Sequence, residues 1–441
     1  MNREYFEHLA EAVCTVPPGA QRASLHYAAE STDFIRFNQA RVRQATHVEQ
    51  HGATLSVAAG RRQATSTVTV TGHAGNDIAA LLAERERLLA DLALVPDDDH
   101  LLLPDTVEST SHDATGKLAS SREVIEAATR EAAGTDMVGC YWGGPVVRAF
   151  ADSRGQRNWH RIESFQFEWC LYREADQAVK SSYAGTHWDD SVFASKMIAA
   201  REQLGLLALP RRELPPGSYR AYLSPVAVAD LLATLAWGGF GLKDTKTGVS
   251  TLVRMHRGEA RLHPSVALTE AVAEGIAPGF QVDGFVKPDA VPLVAGGRVA
   301  GNLVCARTAK EYGVQANGAQ ALEAPDSLAM DTGTLASADV LRALGTGVFI
   351  SNLHYLNYSD RQACRMTGMT RFACFWVEAG RLVAPIGVMR FDDSFLRMFG
   401  EGLVALTSEA EAVPDNRTYG SRYLAGVTCP GAIVEGFRLT L

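Results

Sequence analysis

The spacing of apolar and polar positions divides the first half of the chain into helical and extended segments. Helical patterns predict four helices, over 4–13, 76–92, 120–133 and 189–207. Between the first two, residues 24–70 are rich in Thr and Val and are interrupted by glycine or polar turns, which is typical of an antiparallel meander. Further strands are predicted over 137–153, 158–174 and 178–185. The pair Ser120 and Glu123 predicts a capping box at the start of the third helix.

The run Leu214-Pro215-Pro216-Gly217 is the strongest break in these patterns, because two prolines and a glycine cannot continue a helix or a strand. After it the sequence has one clear helix, 225–237, followed by short apolar pieces separated by glycines. We therefore predict an α+β fold with two domains, 1–213 and 214–441. The first is an α/β domain with an antiparallel sheet and flanking helices, and the second is mostly β and barrel-like.

The composition excludes several classes of function. The 441 residues include 42 basic and 50 acidic side chains, a net charge of −8, so no direct nucleic-acid binding is expected. The N-terminus lacks the apolar core of a signal peptide, and the most apolar run, 226–240, is interrupted by Asp230. We expect a cytoplasmic protein without a membrane segment. Its seven scattered cysteines contain no C-x-x-C pair and indicate reduced thiols.

Standard catalytic signatures are missing from the sequence. None of the twelve histidines is followed by glutamate, so the zinc-protease pattern H-E-x-x-H does not occur. The G-x-S-x-G elbow, the phosphate-binding loop and the G-x-G-x-x-G fingerprint are also absent. The catalytic residues, if the chain has any, stay unassigned.

One local cluster has the residue types of a metal site. His47, Glu49 and His51 alternate along a predicted strand and would point to the same side. Strand positions two apart are separated by roughly 6–7 Å, so three such side chains do not easily share one ion. We favour a polar, solvated strand face and predict no metal in this chain.

A second dense region, 352–371, lies between apolar strands and combines tyrosines, arginines and a histidine. Such crowding is typical of a functional loop, and it gives five candidate binding residues, His354, Tyr358, Arg361, Arg365 and Arg371. A structural loop whose arginines pair with carboxylates such as Asp360 explains the composition equally well. Cys364 is a weaker candidate for a nucleophile, because no general base is paired with it in the sequence.

Four segments in collinear order resemble the TldD/PmbA family. FWVEAGRLVAPIGVMRFDDSFLRMF (375–399) resembles the family's C-terminal signature, and STDFIRFNQARV (31–42) its N-terminal hairpin. YLSPVAVADLLATLAWGGFG (222–241) is similar to the helix that opens the second domain, and NLVCARTAKEYGVQAN (302–317) to an alanine-arginine and glycine-asparagine stretch. The last segment adds Asn317 to the candidate binding residues.

Departures from the family pattern indicate the branch. In TldD, the helix matching 225–237 carries a zinc-binding HExxxH motif, whereas here it reads VAVADLLATLAW. TldD also supplies a cysteine near its C-terminus; Cys429 lies in that region but has no histidine partners. The segment YSDRQACRMTGMTR (358–371) differs from the usual TldE sequence as well. The resemblance thus implies a divergent TldE-like protein that lacks its own zinc.

The resemblance implies a function as well as a fold. We expect the non-metallated subunit of a cytoplasmic TldD/TldE-type metallopeptidase complex that processes unfolded peptides. Its partner would be an HExxxH-bearing, TldD-like subunit that holds the zinc, or a second copy of the same chain. The alternative is a stand-alone enzyme or a peptide-binding homodimer that acts on a peptide-derived small molecule through 352–371.

Overall fold

The computed structural model describes residues 2–175 and 177–441. The helices are α1 (Arg3–Val13), α2 (Ala74–Leu92), α3 (Ser121–Glu131), α4 (Asp190–Leu206), α5 (Pro225–Ala236), α6 (Leu242–Lys246), α7 (Val253–His256), α8 (Ala306–Tyr312), α9 (Val340–Leu344) and α10 (Phe395–Met398). The α+β class predicted from the sequence is confirmed. No helix within 2–175 or 177–441 is long and apolar enough to span a membrane.

The first sheet contains seven strands. They are β1 (Arg22–Asn38), β2 (Arg41–Ala59), β3 (Arg62–Thr69), β4 (Thr110–Ala114), β5 (Asp136–Asp152), β6 (Arg157–Glu174) and β7 (Gln177–Gly185). Their order is β3-β2-β1-β5-β6-β4, with β7 also paired to β6. All pairs are antiparallel except β4 with β6, which is parallel. The predicted antiparallel sheet with flanking helices is confirmed.

The two faces of this sheet differ because side chains alternate along a strand. Odd-numbered β6 residues, including Phe165, Phe167 and Trp169, pack with α3 and α4 in one hydrophobic core. The even-numbered residues Gln166 and Glu168 point to the opposite face, where the C-terminal half of the chain lies. The aromatic positions thus hold the helices, and the polar positions are presented to the rest of the molecule.

The second sheet contains thirteen strands. They are β8 (Gly217–Leu223), β9 (Leu268–Glu270), β10 (Val291–Ala295), β11 (Arg298–Val299), β12 (Ser327–Met330), β13 (Gly347–Ile350), β14 (Asn352–Asp360), β15 (Arg365–Arg371), β16 (Phe375–Glu378), β17 (Arg381–Pro385), β18 (Arg390–Ser394), β19 (Leu403–Pro414) and β20 (Gly426–Leu439). The main order is β11-β10-β9-β12-β20-β8-β13-β16-β17, and β20 also pairs with β18 and β19. Among the strands described, no pairing joins the ends, so the mostly β half does not close into a barrel.

The segment 352–371 is a β-hairpin and not the loop that the sequence suggested. Strands β14 and β15 pair in antiparallel register, and residues 361–364 connect them. Along β15, Met366, Gly368 and Thr370 are buried while their neighbours are partly exposed, which is the alternation of a half-buried strand. Most polar residues of 352–371 occupy the outward-facing positions of the hairpin. Their number hid the alternation of buried and exposed positions in the sequence.

The two sheets are joined by the connection between β7 and β8. The first sheet ends at Gly185, and the second begins at Gly217. Residues 208–213 of the connection are exposed. The domain boundary between 213 and 214 stays a prediction.

Candidate functional site

A cavity of about 900 Å³ lies between the two sheets. One wall is α5, and the facing wall comes from β6 and β7, which contribute Glu168 and Lys180. The connection between β19 and β20 and the segment 321–325 also line the cavity. Clefts of this volume at the junction of two structural units are common locations for ligand sites in proteins.

Local sequence fixes the position of α5. The Ser224 hydroxyl caps the helix by accepting a hydrogen bond from the backbone N–H of Ala227 (3.2 Å), and Pro225 occupies the first helical turn. The hydroxyl also donates to the carbonyl of Ser351 (2.6 Å), which ties the helix start to the strand before the hairpin. Val228, Leu231, Leu232 and Leu235 are buried in the core of the second sheet. The opposite side of the helix therefore faces the cavity.

Asp230 is the charged residue on the cavity side of α5. Its Oδ2 accepts one long hydrogen bond, 3.4 Å, from the backbone N–H of Leu353. Burial raises the pKa of this carboxyl to about 7, while the nearby charges of Lys180 and Glu168 act in opposite directions. A large fraction of Asp230 is therefore protonated at neutral pH.

Three of the other four carboxylates of the lining have close partners, and the fourth, Asp244, lies beside Arg361. Glu168 lies 3.3 Å from the ammonium of Lys180, and Asp415 pairs with Arg417. Glu323 accepts hydrogen bonds from the backbone N–H groups of Lys243 (2.9 Å) and Cys305 (2.8 Å). Asp230 differs from these three in having neither a cation nor a second donor within bonding distance in the described structure.

Arg361 is the predicted binding residue that lines the cavity. Its guanidinium lies 5.2 Å from the ring centroid of Trp237 and 5.0 Å from that of Tyr358, and it donates to the Trp237 carbonyl (3.2 Å). A Cβ added at Gly238 would lie 2.5 Å from Arg361 Nη2 and 2.9 Å from Asp244 Oδ2, so these two charged groups are neighbours. The Tyr358 hydroxyl donates to the Thr234 carbonyl (2.8 Å). Both side chains hold the hairpin against the end of α5.

The remaining predicted binding residues lie outside the cavity lining. Arg365 pairs with Asp392, and the Arg371 guanidinium lies 5.4 Å from the Phe372 ring centroid. His354 is mostly exposed. The partial burial of its ring, together with the positive charges of Arg371 and Lys180, lowers its pKa. Asn317 accepts from the backbone N–H of Val304 and donates to the carbonyl of Asn302, both at 2.8 Å. Its amide therefore fixes a local turn through both its oxygen and its nitrogen.

Comparison with known proteins places this chain in a family. Residues 216–440 match the sequence profile described as the PmbA/TldA metallopeptidase C-terminal domain. The chain belongs to the TldD/PmbA family. The resemblance seen in the sequence is thereby confirmed, and the peptidase-related character of this TldD/PmbA protein follows from it. The search of curated proteins returned no match.

Solved structures share the fold of this TldD/PmbA protein over nearly its whole length. TldE from Thermococcus kodakarensis has a TM-score of 0.79 at 11% identity, covering 99% of this chain and 100% of that chain. A candidate modulator of a DNA gyrase from Thermotoga maritima has a TM-score of 0.77 at 13% identity, covering 99% of both chains. A similar candidate from Bacteroides thetaiotaomicron has 0.75 at 14%, covering 99% and 97%. At these identities the likeness establishes the fold alone.

The residues of the cavity do not fit the catalytic zinc that the family description implies. Zinc sites in proteins are built from histidine, cysteine and carboxylate ligands, and the cavity lining includes neither histidine nor cysteine. Across 2–175 and 177–441, no group of three or more such side chains is placed to hold an ion. We therefore derive no chemistry of this TldD/PmbA chain through a metal.

The cluster of His47, Glu49 and His51, for which the sequence analysis favoured a polar strand face over a metal site, is engaged in other contacts. His47 Nδ1 lies 2.7 Å from Asp33 Oδ1, and its Nε2 lies 3.2 Å from the Ser31 hydroxyl. His51 Nδ1 lies 2.6 Å from the Tyr27 hydroxyl, and its Nε2 is 3.2 Å from Glu49 Oε1. Each imidazole thus has a protein partner at both nitrogens.

Two cysteines considered at the sequence level are inaccessible. Cys364 is fully buried, and burial raises the pKa of its thiol to about 12, which disfavours the nucleophilic thiolate. Cys429 lies beneath the first turn of α5, where its Sγ is 3.3 Å from the Pro225 carbonyl, and burial raises its pKa as well. Both thiols act as buried apolar groups.

The sequence missed most of the residues that build the cavity. Asp230 was visible as the single charge interrupting the run 226–240, but the sequence did not show that it lines a cavity. Glu168 and Lys180 gave a weaker signal, since they occupy the polar positions of strands whose alternate positions are apolar. An acidic residue within an otherwise apolar helix was the best available clue.

Proposed function

We propose that this chain is the non-metallated, TldE-like subunit of a cytoplasmic TldD/TldE-type metallopeptidase complex that processes unfolded peptides. The observation that carries the proposal is the cavity wall formed by α5. In this family that helix carries the HExxxH motif of TldD, and here its cavity side presents Val226, Asp230, Ala233 and Trp237. The helix and the cavity are both present, but the zinc ligands are replaced by apolar side chains and one carboxyl.

The architecture of the cavity supports a peptide ligand. Strand β7 lies at an edge of the first sheet, pairs with β6 in the described structure, and places residues 180–182 in the cavity wall. An extended peptide can add to such an edge through main-chain hydrogen bonds, which require little of its sequence. Unfolded peptides supply the free N–H and carbonyl groups that this mode of binding needs.

In this proposal the chain binds and orients the peptide while the partner holds the zinc and cleaves it. The apolar part of the lining, which includes Ala229, Val413, Pro414 and Val427, excludes water from one side of the peptide. Trp237, with 59% of its surface exposed, lies at the end of α5 and offers an apolar surface for a partner or for the peptide.

A reconstitution experiment tests this proposal. We expect no cleavage of an unfolded polypeptide by the chain alone, and cleavage when an HExxxH-bearing homologue from the same cell is added. The control is the same mixture with the HExxxH glutamate of the homologue changed to glutamine, which should abolish the activity. Cleavage by the isolated chain after treatment with a chelator would refute the subunit role.

The alternative is a stand-alone enzyme or a peptide-binding homodimer that uses 352–371. The hairpin contributes Asn352 and Arg361 to the cavity, while the other candidate residues of that segment contact the rest of the second half of the chain. Turnover of a peptide-derived small molecule without any partner would favour this alternative.

A further inference from the structure

The charged side chains around the cavity differ in whether they have a partner. Lys180 is occupied by Glu168, and Arg417 by Asp415. Arg361 is stacked on two rings beside Asp244, and Lys243 is an exposed residue of the lining. Within the described structure Asp230, which lies deeper on the helix, has only the Leu353 N–H as a hydrogen-bond donor. A ligand entering this cavity would therefore find a carboxyl group in need of a partner rather than a free, buried cation.

The surroundings of Asp230 increase its need for a cationic partner. The residues next to it on the cavity side of α5 are small and apolar, Val226, Ala229 and Ala233, and Val427 lines the cavity as well. A carboxylate in such surroundings is poorly solvated, so an incoming cation gains a charge-assisted hydrogen bond that water competes with weakly. The small side chains leave room for an alkyl chain that leads to the cation.

We propose that the cavity binds a cationic group of a peptide, the side chain of lysine or arginine, against the carboxylate of Asp230. The proposal rests on the proposed peptide-processing function and adds a preference that main-chain pairing alone would not give. The alkyl part of the cationic side chain would lie along Ala229 and Ala233, and its charged end would meet Asp230. Peptides with glutamate or aspartate at this position would be disfavoured, because they would place a third carboxylate beside Asp230 and Glu168.

The preference predicts a dependence on pH. The groups whose charges act on Asp230 are Glu168 from β6 and Lys180 from β7, and the Leu353 N–H reaches it from β14. A cation stabilises the ionised form, so binding near neutral pH should release part of a proton. Affinity for the cationic peptide should fall by up to about tenfold for each pH unit below the pKa of Asp230, about 7.

The test is a binding measurement on the full-length chain without metal or partner. The probes are a short acetylated and amidated Ala-Gly peptide with one central lysine, and the same peptide with norleucine in its place. By calorimetry at pH 8 and low salt, the lysine peptide should bind about tenfold more tightly than its neutral counterpart. Equal affinity for the two peptides, or binding of neither, would overturn the proposal.

Two variants locate the preference on one carboxyl. Asp230→Asn keeps the shape of the side chain, and it should reduce the lysine-to-norleucine ratio to about one. Glu411→Gln removes a negative charge from β19 outside the cavity lining, where Glu411 pairs with Lys196 at 2.8 Å, and it should leave the ratio unchanged. An unchanged ratio in Asp230→Asn, or an equal loss in Glu411→Gln, would refute the assignment to Asp230.

The outcome can be separated from that of the proposed function. The binding measurement needs no peptidase activity, so a failure to reconstitute cleavage does not affect it. Conversely, cleavage in the complex with no preference for lysine would leave the subunit role intact and remove only the cationic specificity.

Discussion

At the scale of single residues, Asp230 is a position where the sequence departs from simple core formation. It is the charged side chain of a helix otherwise composed of alanine, valine, leucine, threonine and a proline. A half-buried acid without a cation is costly, since the single long hydrogen bond from Leu353 replaces little of the hydration that its ionised form loses. We attribute its presence on the wall of the cavity to the proposed binding of a cationic ligand.

The cost of Asp230 should be visible in the pH dependence of stability. Its pKa rises from 3.8 in an unfolded chain to about 7 in the folded protein, so folding takes up a proton between these values. The free energy of unfolding should therefore fall as the pH rises from about 4 to 7, and the loss should be complete above 7. We expect Asp230→Asn to be more stable than the natural chain by about 2–4 kcal/mol at pH 8 and nearly equal to it at pH 4.

Urea denaturation at the two pH values measures this difference directly. The comparison also guards the binding test, because a variant that is more stable at pH 8 cannot lose peptide affinity by unfolding. A stability gain that is the same at pH 4 and pH 8 would mean that the charge of Asp230 is not the cause.

At the scale of elements, local rules account for the helix starts. The predicted capping box is present: the Ser120 hydroxyl accepts from the N–H of Glu123 (3.3 Å), and the Glu123 carboxylate accepts from the N–H of Ser120 (2.8 Å). Ser120→Ala should lower the free energy of unfolding by about 1 kcal/mol. Thr129→Ala, later in the same helix, is the control and should change it by less than about 0.5 kcal/mol. A larger loss in the control would place the stabilisation elsewhere in the helix.

Two arginines of the hairpin β14–β15, Arg361 and Arg365, are expected to differ in their effect on peptide binding. Arg361 lines the cavity and holds the hairpin against α5 through Trp237 and Tyr358. Arg361→Ala should therefore weaken peptide binding by about three- to tenfold, because the cavity wall loses this support. Arg365 is 37% exposed and pairs with Asp392, so Arg365→Ala should leave affinity unchanged and cost less than about 1 kcal/mol of stability. Calorimetry and thermal melts of both variants check this. If Arg365→Ala loses peptide affinity and Arg361→Ala does not, the peptide binds to the outward face of the hairpin and not in the cavity.

The elements were more predictable than the site for a physical reason. Helices and strands follow from periodicity within a dozen residues, which is why the meander and the helices near 76–92 and 189–207 could be read from the sequence. The hairpin was misread because its polar half dominates its composition. The cavity brings together Glu168, Lys180 and Asp230, which lie on three different elements. These residues approach one another only when the two sheets pack, and no local sequence pattern encodes that packing.

At the scale of the whole molecule, the two halves are tied together by buried polar contacts. Arg422, in the connection between β19 and β20, is buried and donates to the carbonyls of Gly144 and Ser164 in the first sheet, both at 2.9 Å. Its own N–H donates to Glu30 Oε2, also at 2.9 Å. Breaking such contacts leaves buried donors without partners, which is why an interface of this kind resists separation.

This arrangement predicts how the chain responds to cleavage between its halves. A protease site inserted between Leu214 and Pro215 should yield two fragments that stay folded and elute together, since the buried contacts of Arg422 persist. Gel filtration and circular dichroism of the cut protein measure both properties. Unfolding of both fragments on cleavage would contradict the predicted boundary at 213/214.

The central claim is that this TldD/PmbA chain keeps the family's cavity without its zinc, and metal content tests it most directly. The purified full-length chain is equilibrated with zinc, exchanged into metal-free buffer and analysed by plasma mass spectrometry. We predict far less than one zinc per chain, because the cavity lining offers no histidine or cysteine. One tightly held zinc per chain that is lost in His47→Ala or His51→Ala would contradict the account.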